Sequence, residues 1–425
     1  MILELERQYL DKVLPTGWAW KKLENIAQDA RRFNPKKDAP QNYFQYIDIS
    51  SVDNQKGEIK AVKKILGEDA PSRARKVVRT DSIIVATTRP YLRNIAIVDS
   101  ELDQAISSTG FCVLNVIRES ALPKYIYYFC RSNLFIQQLI PKQRGANYPA
   151  VTDQDIFDSV IPIPCPEDPV ESIEIQRRIV TRIEALLHEI KESRKICDRI
   201  YQDAKRLLEV AINEVFTKLE SVIETVSFQD IGTAFNGRAS GSGKSNVRVF
   251  KTRHTYPHKL RLGDPSYAKP EEAPKWPRER FLRPGDALMA NIAEGTLGRV
   301  SYVHECEENW TVDTQIMILR SKDENVVLGK WIYYYFWSER GQREILSRRT
   351  GIAFADKRGQ THIYPRDVQT IPFPKVPINS QRQAVAYLDT VLNESEKMTE
   401  LVHQDIKTLD LLEQSILDRA FRGEL

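Results

Sequence analysis

Hydrophobic residues recur at helical spacing along two long stretches of the chain. Between residues 170 and 216, apolar or small side chains alternate steps of three and four, interrupted at Ser193. These positions are Ile179, Ile183, Leu186, Ile190, Cys197, Ile200, Ala204, Leu207 and Ala211. A second seam, between residues 380 and 421, uses Leu388, Leu392, Val402, Ile406, Leu409 and Ile416. Because such stripes must be buried, we predict two long helices that pack as an antiparallel coiled coil.

The segment that precedes each helix has shorter apolar runs, separated by polar turns. A short amphipathic helix is expected before Gly17, and a turn at residues 53–57. Strands are predicted at residues 46–49, 82–86 and 95–98. Residues 125–139 are aromatic and apolar at helical spacing, which predicts one helix packed on the sheet. The prolines of residues 161–169 end this mixed module.

The same module occurs a second time in the chain. The sequence KYIYYF at residues 124–129 returns as KWIYYY at 330–335, and IPIP at 161–164 returns as IPFP at 371–374. Residues 80–85 and 109–114 likewise match 285–290 and 314–319. The order of the matches is preserved, so a whole module rather than a solenoid unit is duplicated.

These patterns predict an α+β protein with a pseudo-twofold internal repeat. Two globular target-binding modules would be separated by the two helices of the coiled coil. The predicted domains are residues 1–168, a central helix at 169–220, a second module at 221–376, and a C-terminal helix at 377–425.

Composition adds limits to this picture. The chain has 425 residues, of which 41% are hydrophobic and 28% charged, as in ordinary globular proteins. No apolar run approaches the ~20 residues that span a bilayer, and the first residues do not resemble a signal peptide. Five scattered cysteines lack metal-site spacing, and one would stay unpaired in any disulfide scheme. A cytoplasmic protein is therefore expected.

Charge is informative through its distribution, since the net charge is only +4. Residues 231–263 contain basic side chains and no acid, while most acids lie on or beside the helices. Further basic clusters in the first module comprise Arg31, Arg32, Lys36 and Lys37, and Arg73, Arg75, Lys76 and Arg79. This segregation fits loops that face nucleic acid, but ordinary solvated loops would show it too.

A search for catalytic motifs finds none that is complete. Residues 237–245 resemble a phosphate-binding loop, but they have one residue too many and precede a strand pattern instead of a helix. The DPSY sequence at 264–267 lacks one proline of the motif with which amino-methyltransferases hold a flipped adenine. No glycine-rich turn for S-adenosylmethionine accompanies it.

Two further sets of polar residues resemble chemical sites more weakly. His254 and His258 have the i,i+4 spacing of a helical metal pair, but Pro257 lies between them. Asp264, Glu272 and Lys275 loosely resemble a nuclease set. Duplicated modules without a catalytic centre favour a binding function, so no catalytic, cofactor or metal residue is predicted.

Taken together, the motifs resemble those of the specificity subunit of Type I restriction–modification systems. The entry sequence PTGWAWKKL at 15–23, the IPIP exit and the ending LDRAFRGEL at 417–425 are typical of that family. The helix openings QRRI at 176–179 and QRQA at 381–384 also match. The resemblance covers essentially the whole chain.

This resemblance implies a non-catalytic subunit that recognises double-stranded DNA. Each module would read one half of a bipartite target, and the helices would set the spacer. Two methyltransferase subunits would bind the chain, and restriction subunits that translocate DNA could join them. S-adenosylmethionine, ATP and magnesium would belong to those partners. Apolar positions outside the seams are candidate seats for partner helices: Leu187, Ile212, Val391 and Met398.

Candidate DNA-binding residues lie in polar loops between apolar elements. Arginine, asparagine and glutamine suit contacts to base edges, and lysine suits phosphates. The candidates in the first module are Arg89, Tyr91, Arg93, Arg144, Asn147 and Tyr148. Those in the second are Arg238, Lys244, Asn246, Arg253, His254, Arg358 and Gln360.

Two other classes stay open at this point. An enzyme fused to its reader would bind S-adenosylmethionine as an isolated chain. A coiled-coil scaffold that joins proteins without DNA would leave the assembled complex unable to retain a duplex at low salt.

Overall fold

The chain forms two compact units, seen in a computed structural model. The first unit ends at Cys197 and also contains Gln404–Leu425, and the second is Asp198–His403. The structure describes residues 14–145, 147–220, 223–238, 242–256, 259–272, 275–292, 295–350 and 361–425. The amphipathic helix predicted before Gly17 falls largely outside these residues.

The first unit contains twelve of the described strands and the start of a long helix. Its strands are β1 (Trp18–Lys22), β2 (Ala27–Gln28), β3 (Tyr43–Ile47), β4 (Val52–Asp53), β5 (Glu58–Ile59), β6 (Lys63–Leu66), β7 (Ala74–Val77), β8 (Ile83–Ala86), β9 (Ile95–Ile97), β10 (Ile106–Ser108), β11 (Phe111–Val116) and β12 (Val160–Pro164). Its helices are α1 (Pro35–Asp38), α2 (Pro123–Arg131), α3 (Asn133–Leu139), α4 (Asp153–Phe157) and α5 (Pro169–Glu220), the last of which continues into the second unit.

A central antiparallel sheet of order β2-β11-β8-β9 separates two cores in the first unit. Successive side chains of a strand point to opposite faces. Accordingly, Ile83 and Val85 pack with the helices, whereas Ile84 and Ala86 pack toward a second sheet, of order β6-β3-β10-β7. Burial on both faces explains why this strand reads as a continuous apolar run.

The second unit repeats this plan. Its strands are β13 (Thr225–Ser227), β14 (Gly232–Asn236), β15 (Gly243–Phe250), β16 (Thr255–Tyr256), β17 (Lys259–Leu260), β18 (Ser266–Tyr267), β19 (Ala287–Ala290), β20 (Val300–Tyr302), β21 (Trp310–Val312), β22 (Ile316–Ser321) and β23 (Pro372–Pro374). Its helices are α6 (Phe228–Ile231), α7 (Gly329–Trp337), α8 (Glu339–Ser347), α9 (Pro365–Gln369) and α10 (Ile378–Ala420), the last of which ends in the first unit.

The sheet topology confirms the internal repeat. The central sheet of the second unit has the order β14-β22-β19-β20, strand for strand the counterpart of the first. Each second sheet contains one parallel pair, β3 with β10 and β15 with β21. The Pro-containing strands β12 and β23 each pair with the strand that opens their module, β1 and β13.

The two long helices, α5 and α10, pair antiparallel within each unit. In the first unit, Ile183 of α5 shares a core with Leu417 of α10. In the second, Leu208 of α5 shares a core with Leu388 of α10. The predicted fold class, two mixed modules with an antiparallel coiled coil, is therefore confirmed.

Three sequence-based details are corrected. Leu207, predicted on the seam, is 43% exposed, while Leu208 is buried. Ile212, predicted as a partner seat, is also buried, because α5 packs there against the second unit's own core as well as against α10. The predicted helix at 125–139 is divided by Ser132, which is extended and caps α3 by accepting a hydrogen bond from the backbone N–H of Phe135.

Buried glutamines join each long helix to its module. The side-chain oxygen of Gln176 accepts from the N–H of Leu122 at 2.9 Å, immediately before α2. Gln381 accepts from the N–H of Leu328 at 3.0 Å, immediately before α7. Both glutamines also donate to backbone carbonyls, so each amide group both accepts and donates hydrogen bonds within the protein. Among the described residues, no helix has an apolar stretch that could cross a membrane.

Candidate nucleic-acid interface

Two loops of the first unit meet at one end of its central sheet. The Pro90 loop (residues 87–94) joins β8 to β9, and the Tyr148 loop (residues 144–150) precedes α4. The N–H of Arg89 donates to the carbonyl of Pro149 at 2.7 Å, and the N–H of Val151 donates to that of Thr87 at 2.9 Å. These backbone bonds make the two loops one surface.

Left-handed backbone conformations give the Pro90 loop its shape. Arg89 (φ 49°) and Arg93 (φ 51°) flank a single 3₁₀ turn at Pro90–Leu92. Each non-glycine residue in this region costs roughly 1 kcal/mol, so surrounding contacts must hold the loop. Strained backbone of this kind is often found at functional sites.

Four predicted residues lie together on this surface. The guanidinium of Arg89 lies 4.8 Å from the ring centroid of Tyr148, and its Nη2 donates to the carbonyl of Asn147 at 3.3 Å. Tyr148 is 70% exposed, and Tyr91 is exposed as well. A cation stacked on an open aromatic ring is suited to a groove edge, where it can contact bases or sugars.

Arg144 starts the Tyr148 loop and is held by an acid. Its Nη1 and Nη2 donate to the two carboxylate oxygens of Asp155 at 2.7 and 3.4 Å. Although burial raises the pKa of Asp155, hydrogen bonds from Arg144 and Thr152 lower it to about 2. The guanidinium is largely exposed, so it is both oriented and open to an anion.

Arg93 was predicted to contact DNA, but its side chain turns inward. Its Nη2 donates to the Oδ1 of Asn133, at the start of α3. Burial lowers the pKa of Arg93, and the neighbouring charge of Arg131 lowers it further. Arg93 is thus half-buried and held toward α3, with its Nε buried, and a DNA contact by this residue stays a prediction.

In the second unit, three predicted residues line an exposed strand and its entry. Lys244 and Asn246 are both exposed on β15, because alternate residues of a strand share one face. Arg238, just after β14, is also exposed. The glycine-rich residues 237–245 thus lead into the strand Gly243–Phe250. A phosphate-binding loop would require a helix N-terminus at this place.

His254 was predicted to contact phosphate or base, and the structure places it inside the unit. Its Nδ1 accepts from the N–H of Lys251 at 2.9 Å, and its Nε2 lies 3.1 Å from the carbonyl of Asp264. Burial lowers its pKa, which favours the neutral ring. The neighbouring Arg253 is exposed but donates to the hydroxyl of Ser266 at 3.0 Å. His254 therefore supports this loop instead of presenting a surface group.

Arg358 and Gln360 lie outside the described residues, but the ends of their loop are described. Thr350 and His362 exchange two backbone hydrogen bonds of 2.8 Å, as Arg144 and Ala150 do in the first unit. The N–H of Ile363 donates to the carbonyl of Asn291 at 3.0 Å, the counterpart of the bond between the two loops of the first unit. The residues on either side of this segment are thus bonded as their counterparts are in the first unit.

One stacked pair escaped the sequence analysis. The guanidinium of Arg261 lies 5.8 Å from the ring centroid of Tyr256 and donates to its hydroxyl at 3.3 Å. Tyr256 is 44% exposed. The acid-free stretch at 231–263 contained both residues, but the hairpin of β16 and β17 that brings them together was not predicted.

Among the described residues, no three histidine, cysteine or acidic side chains form a group that could hold a metal ion. The class of protein that emerges is a duplicated binding module, with basic and aromatic loops at one end of each central sheet and long helices attached to both copies.

Comparison with known proteins agrees with this class. Residues 15–198 match the Type I restriction modification DNA specificity domain. The Type I restriction enzyme StySPI specificity subunit of Salmonella potsdam is 19% identical, over 97% of this chain and 90% of that protein. The solved HsdS subunit from Thermoanaerobacter tengcongensis is 30% identical, with a TM-score of 0.58, over 97% of this chain and 98% of that one.

A second solved chain comes from work on complex assembly and conformational transition of the type I R-M system. It is 31% identical, with a TM-score of 0.73, and the alignment covers 97% of this chain and all of the other. The chain described here belongs to the specificity subunits of Type I restriction–modification enzymes. Its function is DNA sequence recognition within such a system.

Proposed function

We propose that each unit reads one half of a bipartite DNA target, and that the chain itself performs no chemistry. Residues 1–168 and 221–376 would be the two reading domains. The helices at 169–220 and 377–425 would set the spacer and bind two methyltransferase subunits, which would supply S-adenosylmethionine. The observation that carries this proposal is the duplicated loop closure at the same end of both central sheets.

In the first domain, the proposed readers are Arg89, Tyr91, Arg144, Asn147 and Tyr148. The exposure of the other four residues and the contact of Arg89 with Tyr148 support insertion into the major groove, where each base pair presents a distinct pattern of donors and acceptors. In the second domain the proposed set is Arg238, Lys244, Asn246, Arg253, Arg358 and Gln360, to which the structure adds Tyr256 and Arg261.

Domain exchange tests the modular part of the proposal. Residues 18–164 would be replaced by the corresponding domain of a related subunit, and the chain assembled with its methyltransferase subunits. Mapping of methylated adenines should then reveal a change in one half of the target. A change in both halves would contradict modular reading. The reciprocal exchange of residues 226–374 is the matched control.

A pair of exposed tyrosines tests the proposed surface itself. Tyr148→Ala should weaken discrimination at the first half-site by about tenfold, the effect of losing one good base contact. Tyr43→Ala is the control, because Tyr43 is equally open and also has a cation, Lys64, 5.5 Å from its ring centroid, but lies on β3. Equal losses from both variants would argue against this loop as the reader.

The spacer role can be tested through helix length. Insertion of one heptad into each long helix lengthens the pair by about 10 Å, or about three base pairs of duplex. The methylated motif should keep both half-sites and gain a longer spacer. An unchanged spacer would show that the helices are not the ruler.

A further inference from the structure

A cluster of charged and amide side chains connects the Pro90 loop to α10. It consists of Arg93 from the loop, Arg131 and Asn133 from the junction of α2 and α3, and Glu413 and Asp418 from α10. We call these five residues the anchor cluster. All of them belong to the first unit.

The first connection runs from the loop to α10 through one amide. The carboxylate of Asp418 accepts from the backbone N–H of Asn133 at 3.0 Å and from its side-chain Nδ2 at 2.9 Å. Since the NH₂ group of Asn133 is bound by the carboxylate, its oxygen must face the other way. That oxygen accepts from the guanidinium of Arg93, so Asp418 fixes the amide orientation on which the loop depends.

A second connection reaches the loop through a neighbouring turn. The side-chain amide of Asn54 donates to the carbonyl of Leu92 at 2.9 Å. The same turn rests on Arg131, whose Nη2 donates to the carbonyl of Gln55 at 2.9 Å and to Glu413 at 3.4 Å. Both connections therefore end on carboxylates of α10.

The carboxylates of Glu413 and Asp418 compensate the charges of the two arginines. Arg131 is buried and Arg93 is half-buried, so neither charge is well solvated. The Nε of Arg93 and the Nη1 of Arg131 are buried without a hydrogen-bond partner. Loss of one acid would leave a poorly compensated buried cation, and the guanidinium would have to move, taking the strained loop with it.

We propose that Asp418, acting through Asn133 and Arg93, is a positioning residue that sets the conformation of the Pro90 loop for recognition of the first half-site. The last turns of α10 thereby determine specificity although they present no proposed DNA contact. This inference rests on the proposed reading function of the loop.

The second unit shows what the loop needs when no arginine occupies this position. Gly298 (φ +81°) stands where Arg93 does, two residues before the following strand, and as a glycine it adopts the left-handed conformation at little steric cost. The carbonyl of Gly298 accepts from Gln342 at 2.8 Å, and the N–H of Glu339, at the start of α8, donates to Asn213 of α5 at 2.8 Å. A neutral amide of α5 thus replaces the carboxylate of α10.

The experiment compares half-site discrimination in the complete complex with its methyltransferase subunits. Asp418→Asn should reduce discrimination at the first half-site on the order of tenfold, the loss of one base contact. Discrimination at the second half-site should change less than twofold, and the methyltransferase subunits should copurify as before. Asp405→Asn is the matched control, because Asp405 lies on the same helix with its side chain exposed and belongs to neither connection.

A double-mutant cycle separates positioning from general destabilisation. Arg93→Gly copies the second unit and removes the group that Asp418 orients. If Asp418 acts through Arg93, adding Asp418→Asn to Arg93→Gly should cause no further loss, whereas a purely structural role would give additive losses.

Two results overturn the inference in distinguishable ways. If Arg89→Ala abolishes first-half discrimination while Asp418→Asn leaves it intact, the loop reads DNA but is not positioned by α10. If neither variant affects the first half-site, the loop is not the reader, and the proposed function of this surface fails together with the inference.

Discussion

In the first unit, arginines turn the loop that follows the inner strand β8; in the second unit, glycines turn the loop that follows β19. Arg89 and Arg93 have φ values of 49° and 51°, while Gly295 and Gly298 both have +81°. Both loops close at the same end of matching sheets. The fold thus demands left-handed turns here, but it does not determine which side chains they carry.

This difference teaches that the framework and the recognition surface obey separate constraints. The framework is repeated because sheet order, helix junctions and buried glutamines must agree for either unit to bury its core. The loop side chains are held outside the sheet, by ion pairs, hydrogen bonds and stacking, so we expect that they can differ without cost to the sheet. Substitutions in matched pairs, one in each unit, test this division.

The largest loss of stability is expected from replacing the phenylalanine near the end of each long helix that packs into the core of a module. Phe216 lies 4.5 Å from the ring of Trp331, and Phe421 lies 5.0 Å from that of Tyr125. Both phenylalanines are buried, so replacing either by alanine should lower the free energy of unfolding of its own unit by about 3–5 kcal/mol. Denaturant unfolding followed by hydrogen exchange and mass spectrometry would measure the loss in each unit.

The control for these variants is Leu411→Ala, since Leu411 is 73% exposed. Its effect should stay within about 0.5 kcal/mol. Equal acceleration of hydrogen exchange in both units by Phe421→Ala would contradict the assignment of this contact to the first unit alone.

Replacing the glutamines that join helix and module should lower the free energy of unfolding by a smaller amount, and by the same amount in both units. Gln176→Leu and Gln381→Leu each leave a buried backbone N–H without its acceptor, which should cost about 2–3 kcal/mol. The exposed neighbour Gln383 provides a control, because Gln383→Leu removes no such bond. Clearly unequal losses from the first two variants would show that the junctions are not equivalent.

One matched position should differ in its response to pH. The side chain of Asp313 accepts from the N–H of Gln315 at 2.9 Å, and its counterpart Ser108 accepts from that of Gly110 at 3.1 Å. Burial raises the pKa of Asp313 to about 6. Below the unfolded pKa the group is protonated in both states; between about pH 4 and 6 the folded state keeps its proton longer, so stability falls as pH rises.

The change in the free energy of unfolding of the second unit that Asp313→Ser causes should therefore be more favourable at pH 7 than at pH 4. The size of the pKa shift sets this difference at roughly 2 kcal/mol. Denaturant unfolding at both pH values, with Ser108→Ala as the control in the first unit, would measure this. The same stability difference between wild type and Asp313→Ser at both pH values would show that Asp313 ionises normally.

The features that can be predicted from the sequence are those whose pattern repeats over many residues. The helical seams and the duplicated strand patterns are periodic over many residues, so the long helices, the repeat and the fold class could be predicted. The division of residues 125–139 at Ser132 could not, because one serine cap competes with an otherwise helical pattern.

Individual surface residues depended on contacts that are distant in sequence. Arg89, Asn147 and Tyr148 were chosen for their residue types and do meet, but Arg93 turns inward because the side-chain oxygen of Asn133 accepts a hydrogen bond from its guanidinium. His254 is buried by bonds to Lys251 and Asp264 that no local pattern reveals. Lys76, grouped with the basic surface cluster, is buried and pairs with Asp153.

The smallest effect on stability is expected from the ion pair that begins the Tyr148 loop. Arg144→Ala should lower the free energy of unfolding by less than about 1 kcal/mol, since the guanidinium is largely exposed. Asp155 keeps its bonds from the backbone N–H and hydroxyl of Thr152, at 2.8 and 2.7 Å. An NMR titration should still show the pKa of Asp155 rising, because one of the causes that lower it is removed.

The corresponding acid of the second unit, Asp367, lies 3.7 Å from Arg366, so Arg366→Ala should matter even less. Half-site discrimination should nevertheless fall for Arg144→Ala, since an exposed guanidinium contributes more to an incoming anion than to its own fold. If Arg144→Ala destabilised the first unit as much as Gln176→Leu, this ion pair would belong to the framework. Replacing a side chain of the loop would then also destabilise the sheet to which the loop is attached.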